Sequence, residues 1–414
     1  ERTPVVGAPV YNALHGMKKG IKDFVAPQGL FEDLGLKYIG PIDGHNIADM
    51  EFAFQRARDF GGPVIVHVIT EKGRGYHPAE TDEADRFHAV GVVDPDTGKP
   101  LTQAAKSWTS VFSQELVAIG GERQDVVAIT AAMLGPTGLD AFADKFPDRT
   151  FDVGIAEQHA VTSAVGMAHA GLHPVIAIYA TFLNRAIDQV IMDAALHQAG
   201  VTFALDRSGV TGDDGASHNG MWDMALLRVV PGLDLFAPRD GARLVSALRN
   251  CVDKSDHPTV IRFSKGAIPN DIPAVQSLGF ADVLQAATNP DVTIVSVGGM
   301  ATQALEAAAT LQSHGYSVEV IDPVQVLPVA SGLIEYLANR EFVVTIEDGL
   351  VDGGIGEAIG SALRAAKATT RVTALGIPKK FLDHATRKSI LNKLQLDAQG
   401  IAETIEQGLK TTVR

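Results

Sequence analysis

Short apolar runs rich in β-branched residues alternate with segments of helical period along this chain, and that alternation most narrows what it can fold into. The runs are Val64–Ile69, Val126–Thr130, Val175–Ile178, Val201–Leu205, Val292–Val295, Val318–Ile321 and Phe342–Ile346. Helices are predicted over 156–170, 182–198, 301–313 and 355–366. A strand that is apolar on both faces has to be covered on both, and strands separated by helices pair in parallel. The pattern therefore predicts an α/β protein of parallel sheets covered by helices.

Two polar stretches rich in Pro and Gly, Asp94–Pro100 and Gly266–Pro273, interrupt the alternation as linkers do. They divide the chain into domains at 1–104, 105–268 and 280–414. The first block holds one strand–helix–strand unit, within 37–69, which is too little sheet for a doubly wound domain. It reads as the C-terminal part of a truncated domain. The opening Glu1-Arg2-Thr3-Pro4, without a starting Met or a signal-peptide pattern, fits a processed, nicked or engineered fragment.

Composition removes whole classes of function. With 35 basic against 49 acidic residues the net charge is -14, so no broad positive field exists to draw a nucleic acid or an anionic membrane. An anionic ligand must be held by individually placed Arg and Lys. Cys251 is the sole cysteine, which excludes an intrachain disulfide framework and cysteine-rich metal sites. No apolar run reaches the roughly 20 residues that span a bilayer, and a cytoplasmic protein is expected.

Residues able to carry chemistry collect where strands end, the place open α/β sheets hold ligands. In Thr150–Ala160 a short strand runs into a helix and delivers Glu157 near the helix start, behind Val153 and Ile155. A carboxylate there is either a cap that the helix dipole favours or, in apolar company, a group that shares a proton with a ring nitrogen. Tyr179, Phe182 and Arg185 follow the next strand. Phe182 by itself suits a core, whereas Arg185 at a helix start opposes the dipole unless an anion is near. The Gly-rich loop Asp206–Gly220 carries Arg207, Asp213, Asp214 and His218, enough polar groups to orient a small hydroxylated substrate and exchange protons with it. Lys72 in Glu71–Tyr76 suits a phosphate among glycine amides, His88 stands on a loop, and Arg262 with Lys265 ends the last strand of the middle domain.

Taken together, Tyr38-Ile-Gly-Pro-Ile-Asp-Gly-His45, Lys72-Gly-Arg-Gly-Tyr76, Phe87-His-Ala89, Phe151-Asp-Val-Gly-Ile-Ala-Glu-Gln-His159, Tyr179-Ala-Thr-Phe-Leu-Asn-Arg-Ala-Ile-Asp-Gln189 and Asp206-Arg-Ser-Gly-Val-Thr-Gly-Asp-Asp-Gly-Ala-Ser-His218 resemble the 1-deoxy-D-xylulose-5-phosphate synthases. The likeness extends to Glu347-Asp-Gly-Leu-Val-Asp-Gly-Gly-Ile-Gly356 in the last domain. It implies a transketolase-like, thiamine-diphosphate-binding fold with a diphosphate-binding domain, a pyrimidine-binding domain and a C-terminal domain. It also implies a decarboxylative condensation of pyruvate with glyceraldehyde 3-phosphate. By that resemblance Glu157 hydrogen-bonds the aminopyrimidine of thiamine diphosphate, Phe182 stacks on it with Ile155 nearby, and Lys72 lies near the diphosphate. His88 and His218 face the reacting carbons, and Tyr179, Arg185, Arg207, Asp214, Arg262 and Lys265 form the substrate and phosphate side.

Two departures bear on this. Arg262-Phe-Ser-Lys-Gly266 stands where the family shows Arg-Tyr-Pro-Arg-Gly, so a point charge replaces a planar fork. The Gly-Asp-Gly followed by Asn that holds Mg²⁺ in the family does not occur among the 414 residues, so no metal ligand is assigned within the chain and the metal is expected on a separate or missing N-terminal segment. A homodimer is expected, because the small-residue helix 160–170 and the apolar faces of 301–313 and 355–366 exceed what one thin domain covers. The alternatives are another thiamine-dependent chain, such as a transketolase half or a 2-oxo acid dehydrogenase β subunit, and a non-catalytic partner subunit. The Gly-Asp-Asp-Gly-Ala-Ser-His loop argues against the first, and retention of Glu157, Phe182 and His218 against the second.

Overall fold

The apolar runs become the strands of three sheets in a computed structural model that describes residues 31, 33–82, 86–88, 90–101 and 105–410. Residues 1–30 of the first predicted domain, and Ala89 of the His88 segment, lie outside the described residues. The structure divides into two compact units between Gln103 and Ala104. In the first, β1 (Lys37–Asp43) and β2 (Val64–Ile69) pair in parallel across helix α1 (Ile47–Phe60). Asn46 Oδ1 caps the helix by accepting from the Ala48 and Asp49 amides, and Gly61 ends it in the left-handed conformation, φ 68°. This is the single strand–helix–strand unit expected within 37–69.

In the second unit, β3 (Val126–Thr130), β4 (Thr150–Asp152), β5 (His173–Tyr179), β6 (Thr202–Asp206), β7 (Asp234–Phe236) and β8 (Thr259–Arg262) run parallel in the order β7-β8-β6-β5-β3-β4. Every residue of β3, β5, β6 and β8 is buried, which is why they read as continuous apolar runs rather than alternating ones. A further sheet follows, built from β9 (Gln276–Ser277), β10 (Asp282–Gln285), β11 (Val292–Ser296), β12 (Val318–Asp322), β14 (Phe342–Leu350) and β15 (Arg371–Ile377) in the order β15-β14-β11-β12-β10-β9. Between β12 and β14, β13 (Gln325–Leu327) leaves this sheet and pairs antiparallel with β7, so the two sheets are joined through one chain segment.

Two expectations are corrected. The sheets are not wholly parallel, since β10 pairs antiparallel with both β12 and the edge strand β9. A tight turn from Leu278 to Ala281 folds the linker straight back, and an antiparallel pair needs no crossover helix. The stretch 182–198 is not one α-helix either. It is a 3₁₀ segment over Ala180–Ala186, a single α-turn at Ile187–Gln189, and π turns over Val190–Ala195. Residues three apart eclipse in a 3₁₀ helix, so Phe182 and Arg185 stand in one row just after Tyr179, the last residue of β5.

The apolar faces counted toward a dimer are covered within the chain. Ala301, Ala304, Ala307, Ala308 and Leu311 share a core with Ile401, Ala402 and Ile405 of the last helix, and Ile355, Ile359 and Leu363 are buried as well. These helices therefore give no argument for a partner.

Candidate active site

Glu157 is the first residue of the helix Glu157–His169 and is 2% exposed. Its Oε2 is buried without a hydrogen-bond partner and has Arg185 Nη1 at 3.5 Å. The Arg185 side chain is itself half exposed. A buried polar atom is normally paired, because leaving it unpaired costs ~1–3 kcal/mol. A lone carboxylate oxygen beside an open cation marks a place that expects a donor from outside the chain.

The row beyond β5 continues the surface. Phe182 stacks on Tyr179 with ring centroids 5.7 Å apart and planes 12° apart. His218 meets the Phe182 ring edge-on at 5.7 Å and the Tyr179 ring at 6.5 Å. Ser217 Oγ lies 2.9 Å from His218 Nδ1, which leaves Nε2 as the nitrogen free to hold or pass a proton. Arg207 covers Tyr179, its guanidinium carbon 3.9 Å from the ring centroid. Burial pushes the Tyr179 hydroxyl up to about 12 despite Arg207, so the ring stays neutral.

Arg207 joins this aromatic group to the carboxylates. It donates to Pro136 O at 3.0 Å, and its nitrogens lie 3.7 Å from Asp206 Oδ1 and 3.9 Å from Asp214 Oδ2, two buried oxygens that lack hydrogen bonds. Burial pushes Asp206 up to about 6, against the pull of Arg207 and of the Thr109 hydroxyl, which donates to Oδ2 at 2.6 Å. Lys265 Nζ donates to Asp214 Oδ1 at 2.7 Å. Phe182, Tyr179, His218, Arg207, Asp214 and Lys265 thus form one run of contacts at the carboxyl ends of β5, β6 and β8, and Arg185, one 3₁₀ turn after Phe182, pairs with Glu157.

Arg262 does not join them. It is 3% exposed, and Nε, Nη1 and Nη2 all donate inward, to Asp223 Oδ2 at 2.6 Å, Asp348 Oδ1 at 3.0 Å and Asp223 Oδ1 at 3.4 Å. It was expected on the substrate side and instead ties the middle domain to the last. Ile155 is 77% exposed, an uncovered apolar side chain two residues before Glu157. Lys72 and His88 are exposed residues of the first unit. Sequence reasoning passed over Thr109, Asp348 and Arg387; the glycines at 209 and 212 were the only signal that something approaches the loop closely.

The family comparisons agree on what such an arrangement belongs to. Residues 104–271 match the model of the transketolase pyrimidine binding domain, 281–401 the transketolase C-terminal domain, and 2–70 the 1-deoxy-D-xylulose-5-phosphate synthase model. The chain is 58% identical over 407 residues to 1-deoxy-D-xylulose-5-phosphate synthase 2 of Streptomyces coelicolor, covering 98% of this chain and 63% of that protein. It is 55% identical over 410 residues to the synthase of Thermobifida fusca, covering 98% and 64%. The chain belongs to the 1-deoxy-D-xylulose-5-phosphate synthase family. It spans a little under two thirds of the length of these relatives. Among solved structures, a split-gene transketolase described as an inactive β4 tetramer superposes with TM-score 0.65 at 28% identity, covering 74% of this chain and 99% of that one. Transketolase from Leishmania mexicana superposes with TM-score 0.64 at 17% identity over 75% of this chain and 47% of that one, a likeness of fold. The fold is transketolase-like α/β, and no helix among the described residues is long and apolar enough to cross a membrane.

Proposed function

We propose that this chain supplies the pyrimidine-binding and substrate-binding part of a cytoplasmic enzyme that forms 1-deoxy-D-xylulose 5-phosphate from pyruvate and D-glyceraldehyde 3-phosphate with loss of carbon dioxide. One observation carries the reading: the buried, unpartnered Glu157 Oε2 lies beside a row that presents the Phe182 ring. A planar heterocycle bearing N–H groups satisfies both features, and the aminopyrimidine of thiamine diphosphate is one. When bound, that cofactor supplies the carbanion chemistry that decarboxylation requires.

The chain's own residues have distinct tasks in this reading. Glu157 holds the proton shared with the ring nitrogen, and Phe182 with Ile155 lies against the ring faces. His218 Nε2 moves protons at the reacting carbons, the task that the family resemblance also gives to His88. Asp214 accepts a hydroxyl of the aldehyde substrate, while Tyr179, Arg185 and Arg207 shape its pocket. Lys265 takes the phosphate, a task in which an ammonium offers charge without the planar fork of the family's Arg. Arg262 is buried, with its guanidinium bound to Asp223 and Asp348.

Residues 1–104 act here as the C-terminal part of the diphosphate-binding domain, with Lys72 near the diphosphate; 105–268 bind the pyrimidine and 280–414 form the C-terminal domain. Mg²⁺ and the rest of the diphosphate site come from polypeptide beyond these residues, and two copies assemble, covering Ile155. The split-gene transketolase neighbour, matched over 99% of its own chain and 74% of this one and described as inactive, supports that need for another segment.

The test is product analysis with pyruvate, glyceraldehyde 3-phosphate, thiamine diphosphate, Mg²⁺ and a polypeptide spanning the remaining part of the relatives. The deoxysugar phosphate is the expected product. Turnover of xylulose 5-phosphate as two-carbon donor instead would identify a transketolase half, and no turnover with either donor would overturn the reading.

A further inference from the structure

The loop that carries Arg207, Asp214 and His218 is gripped from the last domain. Gly209 and Gly212 both adopt positive φ, 75° and 81°, and both lie where no side chain fits. A Cβ at Gly209 would run into the Asp348 carboxylate, and one at Gly212 would stand 2.6 Å from the Arg387 amide. Arg387 Nη1 donates to Val210 O at 2.6 Å and Nη2 donates to Asp348 Oδ2 at 2.8 Å. Asp348, 1% exposed, receives Arg262 Nη1 on its other oxygen at 3.0 Å.

Asp348 is thus a buried anion clasped between two cations, one at the end of β8 and one in the last domain, and the second cation reaches the loop backbone. Burial pushes its pKa up, but Arg262 and Arg387 outweigh that and hold the carboxyl below the ordinary value, so the clasp is charged at neutral pH. Within the loop the shape set at Val210 passes on. Thr211 N donates to Asn219 Oδ1 at 2.9 Å, Asn219 Nδ2 donates to Gly215 O at 3.2 Å, and His218 N donates to Gly215 O at 3.1 Å. Val210 stands between Arg207 and Asp214, and Asn219 next to His218.

We propose that Asp348 and Arg387 are positioning residues for the phosphorylated-substrate side of the site, acting through the backbone at Val210 and not by touching substrate. The loop's own sequence, with glycine at 209, 212 and 215, specifies little shape by itself; the last domain supplies it. This inference rests on the function proposed above for the loop, and its test separates the two.

R387M removes the clasp and R387K keeps a charge that can reach only one of the two acceptors. Amide hydrogen exchange is followed in peptides covering 207–220 and, as a control, 157–169, in the chain itself. Exchange in 207–220 is expected to rise roughly tenfold in R387M, the loss of about one hydrogen bond, with R387K intermediate and 157–169 unchanged. Should R387M fail to fold, R387K is read alone with the same expected direction. In the active preparation, KM for glyceraldehyde 3-phosphate should rise several-fold while KM for pyruvate stays, with partial rescue by R387K. Unchanged exchange in 207–220 would overturn the positioning role. Raised exchange with neither KM altered would uphold it and show that the loop does not serve the phosphorylated substrate.

Discussion

Arg262 ends β8 and Arg207 directly follows the neighbouring β6 at the same carboxyl end of one sheet, since Leu205 of β6 pairs with Arg262 of β8, yet their surroundings are opposite. Around Arg262 every charge is answered: three guanidinium nitrogens meet two carboxylates, and Arg387 completes Asp348. Arg239 shows the same saturation, with Nη1 2.8 Å from both Asp282 and Asp322 and Nε donating to Ile272 O. Around Arg207 and Arg185, by contrast, Asp206 Oδ1, Asp214 Oδ2 and Glu157 Oε2 are buried and lack hydrogen bonds. A saturated network fixes structure, and an unsaturated one retains bonding capacity for a ligand. The comparison assigns the first pair of arginines to domain assembly and supports the second as members of the proposed site.

Breaking each side should fail differently. The largest effect is expected from Glu157→Gln in an active preparation. The amide keeps the shape but cannot share a proton with a ring nitrogen, so turnover should fall by about 100-fold or more while the melting temperature stays within error. Near wild-type turnover would remove Glu157 from the chemistry. Arg262→Met should reverse the pattern. It leaves Asp223 and Asp348 as buried charges with one partner fewer, which costs ~3–5 kcal/mol, measurable by urea denaturation of the chain. A variant of unchanged stability but raised KM for the phosphorylated substrate would return Arg262 to the site.

The smallest effect sharpens the unsaturated side. Asp206 titrates at about 6 in the folded chain, above the ordinary 3.8, so the folded state keeps a proton that the unfolded state releases. Stability from this group is present below pH ~4 and is lost as pH rises toward about 6. Asp206→Asn should remove that loss, on the order of 3 kcal/mol at one group, so the difference between variant and parent should shift by that amount between pH 4 and 7. An unchanged difference would show that Asp206 is not the group held protonated.

Much of this was legible in the residues, and the illegible parts share a cause. The helix Ala301–Ser313 and the strands β3, β11 and β12 show their periods openly, because one buried stripe or two buried faces leave a pattern in a short window. β9 and β13 are two and three residues long, too short for a pattern, and they form only because a turn or a neighbouring edge receives them. The geometry of 180–195 was hidden because 3₁₀, α and π turns bury similar residues. Glu157, Phe182, Asp214 and His218 could be singled out as candidates because each lies in a dense local segment. Arg262 was misplaced because its partners lie 39 and 86 residues away, and a strand-end cation looks the same in sequence whether or not it is paired. Asp348 and Arg387 were missed for the same reason.

The central claim is that these residues hold one end of the cofactor and leave the other to polypeptide beyond them. Titration calorimetry of the chain alone with thiamine diphosphate and Mg²⁺, its intact mass confirmed beforehand, tests it directly. Without the metal-bridged diphosphate contacts, among the stronger hydrogen bonds available, the expected result is binding no tighter than about millimolar, restored by adding the remaining segment. Micromolar or tighter binding by the chain alone would place a diphosphate site within these 414 residues and contradict the account.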